Sequence, residues 1–356
     1  MFVFDWGDPG TDPVHQPEER GGVSKTQLEP ETVEHDEALS ELVAAPGIVG
    51  RSPGQIFWRR FRKDKLAIVG VVILIIIMAL ALAAPLFARL VDHPVNKQFV
   101  FEMTTPGGVP LGPTLSNEAG VFLFGADGTA RDLFVRVLYG AQTSLIVALT
   151  ATGIELLLGV TLGIMAGFYR GKVDSFISGL TDLFFALPVL LLMLGIVGAC
   201  GAQPPGQECL GGLLKPGRGL VAFVIGVFGW PYIARIIRGQ VLSLREKEFV
   251  EASRSLGASN RRIMFKEILP NVLAPIIVYT TLIIPTNILI EAALSFLGIG
   301  VPPSIPSWGA ALNEATAYYR VAWWMMLFPG LFLFATTLAF NLVGDGLRDA
   351  FDPKTA

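Results

Sequence analysis

The chain has 356 residues, of which 52% are hydrophobic and 16% charged, with mean hydropathy +0.57 and a formal charge of -3. Soluble globular proteins carry about a quarter charged residues, so this balance excludes an ordinary soluble enzyme and a mainly disordered chain, while two cysteines exclude a disulfide-stapled scaffold. A polytopic, all-α membrane protein remains, with both termini, loops and spans to be assigned along the chain.

Residues 1–50 hold eleven Asp and Glu against Arg20 and Lys25, which leaves the remainder net basic. This acidic segment, rich in Pro, Gly and Glu, cannot bury enough apolar surface to offset the entropy of ordering. It reads as a disordered cytoplasmic tail, either a partner-binding segment or a dispensable extension. It has no basic start and apolar stretch of a cleavable signal peptide, which leaves insertion to the first transmembrane helix. Residues 51–65 predict an interfacial amphipathic helix: Ser52 and Pro53 suit its start, and Ile56, Phe57, Trp58 and Phe61 lie beside Arg59, Arg60, Arg62, Lys63 and Lys65.

Six spans follow. The first is predicted at 66–90, then an extracytoplasmic segment at 91–142 with the motif FGADGTARDLFVRVLYGAQTSL. The other five, at about 144–168, 176–199, 220–237, 271–297 and 322–343, make a core domain over 143–346, and 347–356 is a short cytoplasmic tail. Lys and Arg are concentrated before span one, after span two and between spans four and five, so the positive-inside rule puts those loops and both termini in the cytoplasm.

Between spans four and five, the stretch EFVEASRSLGASNRRIMFKEILPN predicts two short helices. Glu248 to Leu256 stops at Gly257, whose backbone freedom suits a terminus; Ser259 caps a second helix ending at Leu269, before Pro270. Phe249, Val250, Ala252, Ile263, Met264 and Phe265 provide apolar surface of a kind that marks docking sites.

Glu251, Ala252, Ser253, Gly257, Leu269 and Pro270 follow the EAA-type loop of ABC-importer permeases, with Ser253 replacing the usual second Ala and Glu267 standing where Ile is preferred. The stretches at 288–312 and 328–354 resemble the second permease subunit of the dipeptide/oligopeptide/nickel importer branch. Asp127, Arg131, Asp132, Arg136, Gly140 and Ser144 fit that branch's outer motif, although Ala130 and Val135 replace its common Gly and Ser. The resemblance covers about 52–354 and implies a type I importer permease fold with cytoplasmic coupling helices in a bacterial inner membrane. It implies a non-catalytic subunit that pairs with a second homologous permease, two cytoplasmic ATPases carrying ATP and magnesium, and an extracytoplasmic binding protein delivering peptide substrate. ATPase coupling then falls to Glu248, Phe249, Glu251, Ala252, Ser253, Leu256, Gly257, Ala258, Leu269 and Pro270. Nickel or another small solute in the same architecture is the alternative; an ion-coupled secondary transporter is a second, from another class.

The chain itself offers no cofactor site. GFYRGKV at 167–173 is one residue short of a phosphate loop and lacks Ser or Thr after Lys172. No His follows His93, and Cys200 and Cys209 are too few for zinc; at an oxidising outer face they form either a disulfide or two free thiols. Nothing points to nucleic acid. Gly159, Gly163, Gly167 and Gly171 recur every four residues and predict a close helix seam. Glu155 on the same face, and Glu291 with Ser295, are acids at membrane depth, serving either as pathway or gate groups or as buried ties. Asp182 calls for a basic partner, Pro275 and Pro285 for bends or kinks, and Trp308, Trp323 and Trp324 for the outer membrane interface.

Overall fold

The computed structural model describes residues 53–201, 209 and 215–351, so the readings for 1–50, for Ser52 as a helix start and for 352–356 lie outside the described residues. Helix α1 (Pro53–Phe61) packs Phe57 and Phe61 beside Phe351 and Ala350 near the end of the last helix and leaves Trp58 half exposed. Asp64 then caps α2 (Lys65–Leu90): one carboxylate oxygen accepts the N–H groups of Leu66 at 2.9 Å and Ala67 at 3.1 Å. This start agrees with the predicted first span.

The segment after α2 holds a one-turn helix α3 (Val100–Met103) and an antiparallel hairpin of β1 (Thr114–Asn117) and β2 (Gly120–Phe122). That hairpin is the departure from an all-helical chain; Gly120, at φ +114, makes its turn possible. A small core of Phe99, Met103, Phe122, Ala126 and Ala130 closes beneath it.

Helix α4 (Leu133–Tyr169) begins eleven residues before the predicted second span. Leu133 to Thr143 is buried in protein rather than lipid, so charge and amide groups such as Arg136 and Gln142 are tolerated there and hydropathy misses the extension. The third span, predicted as one helix at about 176–199, is instead two helices, α5 (Gly171–Ala186) and α6 (Val189–Gly201), bent by 82°. Pro188 explains the break, since it lacks an N–H and drives Leu187 to extended backbone at ψ 143. Helix α7 (Arg218–Leu244) is longer than the predicted fourth span at its inner-loop end.

After α8 (Glu248–Ser255), helix α9 (Asn260–Phe296) runs without interruption through Pro270. The predicted stop at Leu269 is therefore corrected. A π-helical turn at Ile263–Ile268 shifts the hydrogen-bond register by one residue, with Leu269 N–H donating to the Met264 carbonyl, immediately before the proline. Short α10 (Trp308–Ala315) precedes α11 (Trp324–Phe351), which continues past Asp345 and Asp349 beyond the predicted sixth span. The five long helices α2, α4, α7, α9 and α11, with the bent pair α5 and α6, allow up to six crossings.

Helices α4 and α7 lie in close contact along one seam. A Cβ added at Gly159 would fall 2.7 Å from Ile233, at Gly163 2.7 Å from the Ala234 carbonyl, and at Gly167 2.7 Å from Val241. The predicted glycine seam is this contact. Gly171 is not part of it: it stands past the end of α4 with φ +58 and open space around it.

Candidate coupling hairpin and the buried ties behind it

At the α8 end of the bundle, the hairpin is built by local rules. Glu248 and Glu251 sit in the first turn of α8, where negative charge complements the helix dipole, and Arg254 sits in the last. The helix closes with a paired stop: Ala258 N–H donates to the Ser253 carbonyl at 3.0 Å and Gly257 N–H to the Arg254 carbonyl at 3.0 Å. That geometry requires φ +78 at Gly257, a conformation natural to glycine. Ser259 then accepts the Arg262 N–H at 3.4 Å and starts α9.

Half of the apolar surface predicted for the hairpin is internal. Val250, Ile263 and Met264 are buried with Ile268, Val241, Val272, Ile164 and Phe168, because the hairpin folds back onto the ends of α4 and α7. Left outside are Phe249, Ala252, Phe265 and Leu256, the last 89% exposed. Glu248, Glu251 and Gly257 share that free surface, Ser253 and Ala258 are half-buried, and Leu269 packs half-buried on the core while Pro270 is exposed on α9. Arg245 donates to the Phe168 carbonyl at 2.5 Å and Arg170 pairs with Glu246, so the hairpin base is tied to the end of α4. An apolar cleft of about 660 Å³, lined by Leu157, Tyr169, Met264, Phe265 and Leu273, opens between α4 and α9 beside it.

At the opposite end, the predicted outer-motif residues fasten three segments together. Asp127 accepts Arg131 Nε at 2.7 Å and Arg136 Nε at 3.0 Å; Arg131 also reaches Glu314 at 3.1 Å, and Arg136 donates to Asn96 Oδ1 at 3.2 Å. Burial pushes the Glu314 carboxyl up from its ordinary range, and nearby Asp127 adds to the rise against the pull of Arg131 and Arg136. Asp132 caps α4 through the N–H groups of Phe134 and Val135 and meets His93 Nδ1 at 2.5 Å. His93 is wholly buried between Phe99 and Phe122, with Nε2 at 2.9 Å from the Ala119 carbonyl. A carbonyl only accepts, so Nε2 carries a hydrogen and the Nδ1 contact to Asp132 needs a second shared proton. Burial raises the Asp132 pKa from its ordinary value, while His93 pulls it down. The roles of His93 and Glu314 escaped the sequence reading, since their partners are 39 and 183 residues away.

The structure joins Glu291 and Ser295 to Ser144 of the outer motif. Ser144 Oγ donates to Glu291 at 2.7 Å and Ser295 Oγ at 2.8 Å, and Glu291 is fully buried. Glu155 is buried too, against Gly229 of α7, where a Cβ would fall 2.1 Å from its Oε1; nearby, Asn287 donates to Thr152 at 3.0 Å. In the single chain, both acids lie inside the helix packing. Trp308 is corrected: it is fully buried, its Nε1 donating to the Val137 carbonyl at 3.1 Å, and Trp324 is also buried and donates to the Ala126 carbonyl. Of the three, Trp323 is exposed. Cys200 and Cys209 are joined as a disulfide with Cα atoms 5.4 Å apart. Asp182 finds its basic partner in Arg235, at 2.5 Å. Among the described residues no group of three or more His, Cys, Asp or Glu could hold a metal ion.

A family model described as the binding-protein-dependent transport system inner membrane component matches residues 159–356, and one described as the N-terminal transmembrane domain of oligopeptide transport permease C matches 52–104. The chain is 38% identical over 303 residues to the dipeptide transport system permease protein DppC of Alkalihalophilus pseudofirmus, covering 85% of this chain and 90% of that one. It is 37% identical to the oligopeptide transport system permease protein OppC of Bacillus subtilis, covering 83% and 88%, and 38% identical to a glutathione transport system permease protein GsiD of Escherichia coli, covering 85% and 91%. Among solved structures, an inward-facing MetNI methionine ABC transporter matches in fold with TM-score 0.50 at 19% identity, covering 62% of this chain and 97% of that one.

Proposed function

Because the chain belongs to the family of binding-protein-dependent transport inner membrane components, we propose that it is the transmembrane permease subunit of an ATP-driven importer of di- or oligopeptides. The substrate class rests on the relatives, which are named as dipeptide, oligopeptide and glutathione permeases. The coupling role rests on one observation: α8 presents Phe249 and Ala252, and the turn that closes it presents Leu256, to the outside while Val250 locks the helix to the bundle. Surface of this kind suits a groove on a cytoplasmic ATPase, where ATP and magnesium would be held. The anchored base, with Arg245 on α4 and α9 continuous with the hairpin, makes it a rigid lever for nucleotide-driven motion.

The basic residues around the hairpin, Arg245, Lys247, Arg254, Arg261, Arg262 and Lys266, favour a cytoplasmic placement, with both termini on that side. A second homologous permease completes the path, and an extracytoplasmic binding protein delivers substrate to the end that carries β1 and β2. Glu155, Glu291 and Ser295 then act as buried ties within this half of the path, the reading their burial supports. The family match displaces an ion-coupled secondary transporter, and no relative described above supports nickel. The test is reconstitution of the chain with its ATPases, second permease and binding protein in liposomes. Peptide uptake that needs both ATP and binding protein is expected; ATP-independent uptake by the chain alone would refute the proposal.

A further inference from the structure

The two hydrogen bonds of His93 together demand two protons. Its ring is buried, with Nε2 2.9 Å from the Ala119 carbonyl and Nδ1 2.5 Å from Asp132 Oδ2. A carbonyl only accepts, so Nε2 holds one hydrogen; a carboxylate oxygen that close to Nδ1 requires a second between them, whichever atom holds it. Remove that proton and two lone pairs face each other across 2.5 Å in a buried site.

The ring joins two separate pieces of the outer segment. Ala119 lies in the turn between β1 and β2. Asp132 caps α4, its Oδ1 accepting Phe134 N–H at 2.8 Å and Val135 N–H at 3.3 Å while Oδ2 meets the ring. Phe99 and Phe122 pack against the imidazole with centroids 4.6 and 4.4 Å away. Asp132 is the acid paired with the ring; Arg131 and Arg136 turn to Asp127, and the Lys97 ammonium lies 4.7 Å from the Phe99 ring centroid. Of the other charged side chains on these pieces, Arg89, Asp92 and Glu118 are exposed and Glu102 is half-buried on α3.

We infer that His93 and Asp132 form a proton-held clasp. With the shared proton in place the β1–β2 flap is fastened to the start of α4; without it the flap comes away. Closed, the pair holds two protons; open in water above about pH 7, a carboxylate and a neutral imidazole hold one. Opening therefore releases a proton, and its equilibrium rises about tenfold per pH unit until the closed pair itself lets the proton go. Below about pH 6.5 a free imidazole keeps both protons too, so the dependence flattens and the clasp is at full strength. The flap thus loosens as the pH rises. On the topology proposed above it meets the extracytoplasmic medium, whose pH then sets its state; the clasp itself stands whether or not the importer reading does.

Hydrogen exchange read by mass spectrometry on the assembled complex tests this, with protection factors corrected for the intrinsic pH dependence of exchange. Peptides spanning β1 and β2, and Leu111, whose N–H donates to the Met103 carbonyl at 2.9 Å, should lose protection about tenfold per pH unit between pH 7 and 9. Peptides along the glycine seam of α4 should not change. Asp132→Asn removes the titrating step: Asn Oδ1 still caps α4 and its Nδ2 donates to Nδ1 of a neutral His93, so the flap should stay closed with no slope. Asp132→Ser keeps a cap but leaves the ring without its partner, and should give low protection, again without slope. A flat profile in the unmodified complex, an equal slope in the seam, or a slope that survives in either variant would overturn the clasp. Exchange needs no transport, so these results are independent of the importer reading.

Discussion

Replacing Gly163 by Ala puts a methyl group 2.7 Å from the Ala234 carbonyl oxygen and 2.9 Å from Ile237 Cβ. Neither neighbour can swing aside, because one is backbone and the other is the branch point of a fully buried side chain. Helices α4 and α7 must separate by about half an ångström, and overpacking of this kind costs about 1–3 kcal/mol. Ala also gains about 1 kcal/mol over Gly in helix propensity, so the clean comparison is with Gly153→Ala on the same helix, where a Cβ meets nothing within 4 Å. At roughly 2–4 °C per kcal/mol, Gly163→Ala should melt about 2–12 °C below Gly153→Ala in detergent. The triple change at Gly159, Gly163 and Gly167 should cost less than three times as much, since one separation relieves all three clashes. Equal melting temperatures for the two single variants would refute the close-contact seam.

Trp308→Phe should keep the fold but lower the melting temperature, since one buried hydrogen bond worth about 0.5–1.5 kcal/mol is lost while the Val137 carbonyl keeps its helical donor within α4; an unchanged transition would contradict the assigned hydrogen bond. His93→Leu should destabilise the outer segment by about 1–3 kcal/mol, because Asp132 Oδ2 and the Ala119 carbonyl lose the His93 contact in a buried place, and amide exchange around β1 and β2 is the sensitive readout. Gly257→Val forces a branched residue to φ +78 and should reduce peptide-stimulated ATPase activity of the complex while the melting of the permease itself changes little. Full coupling in that variant would show that the turn geometry is dispensable.

The long spans and the hairpin were legible because their signals are local: apolar runs of membrane length, a glycine at a helix stop, a serine three residues before the N–H it caps. The glycine seam was legible because spacing by four marks one helix face. What failed has a common physical origin. Hydropathy reports exposure to lipid, so the first turns of α4, which are buried in protein and carry Arg136, read as loop. Trp308 was placed at the membrane interface on residue preference, yet its neighbours across the chain, Val137 and Gly140, bury it. Pro188 sits inside a continuous apolar stretch, and only the backbone shows that it breaks the span by 82°. The contacts of His93 with Asp132 and of Arg131 with Glu314 join distant segments, which no local pattern announces.

The central claim is that α8 and its turn engage an ATPase. A cysteine placed at Ala252, on the exposed side of α8, offers a direct test in the purified complex. A crosslink from that position to an ATPase subunit is expected, with a yield that changes between nucleotide-free and ATP-bound states. Absence of any such crosslink in every nucleotide state, in a complex that still imports peptide, would contradict it.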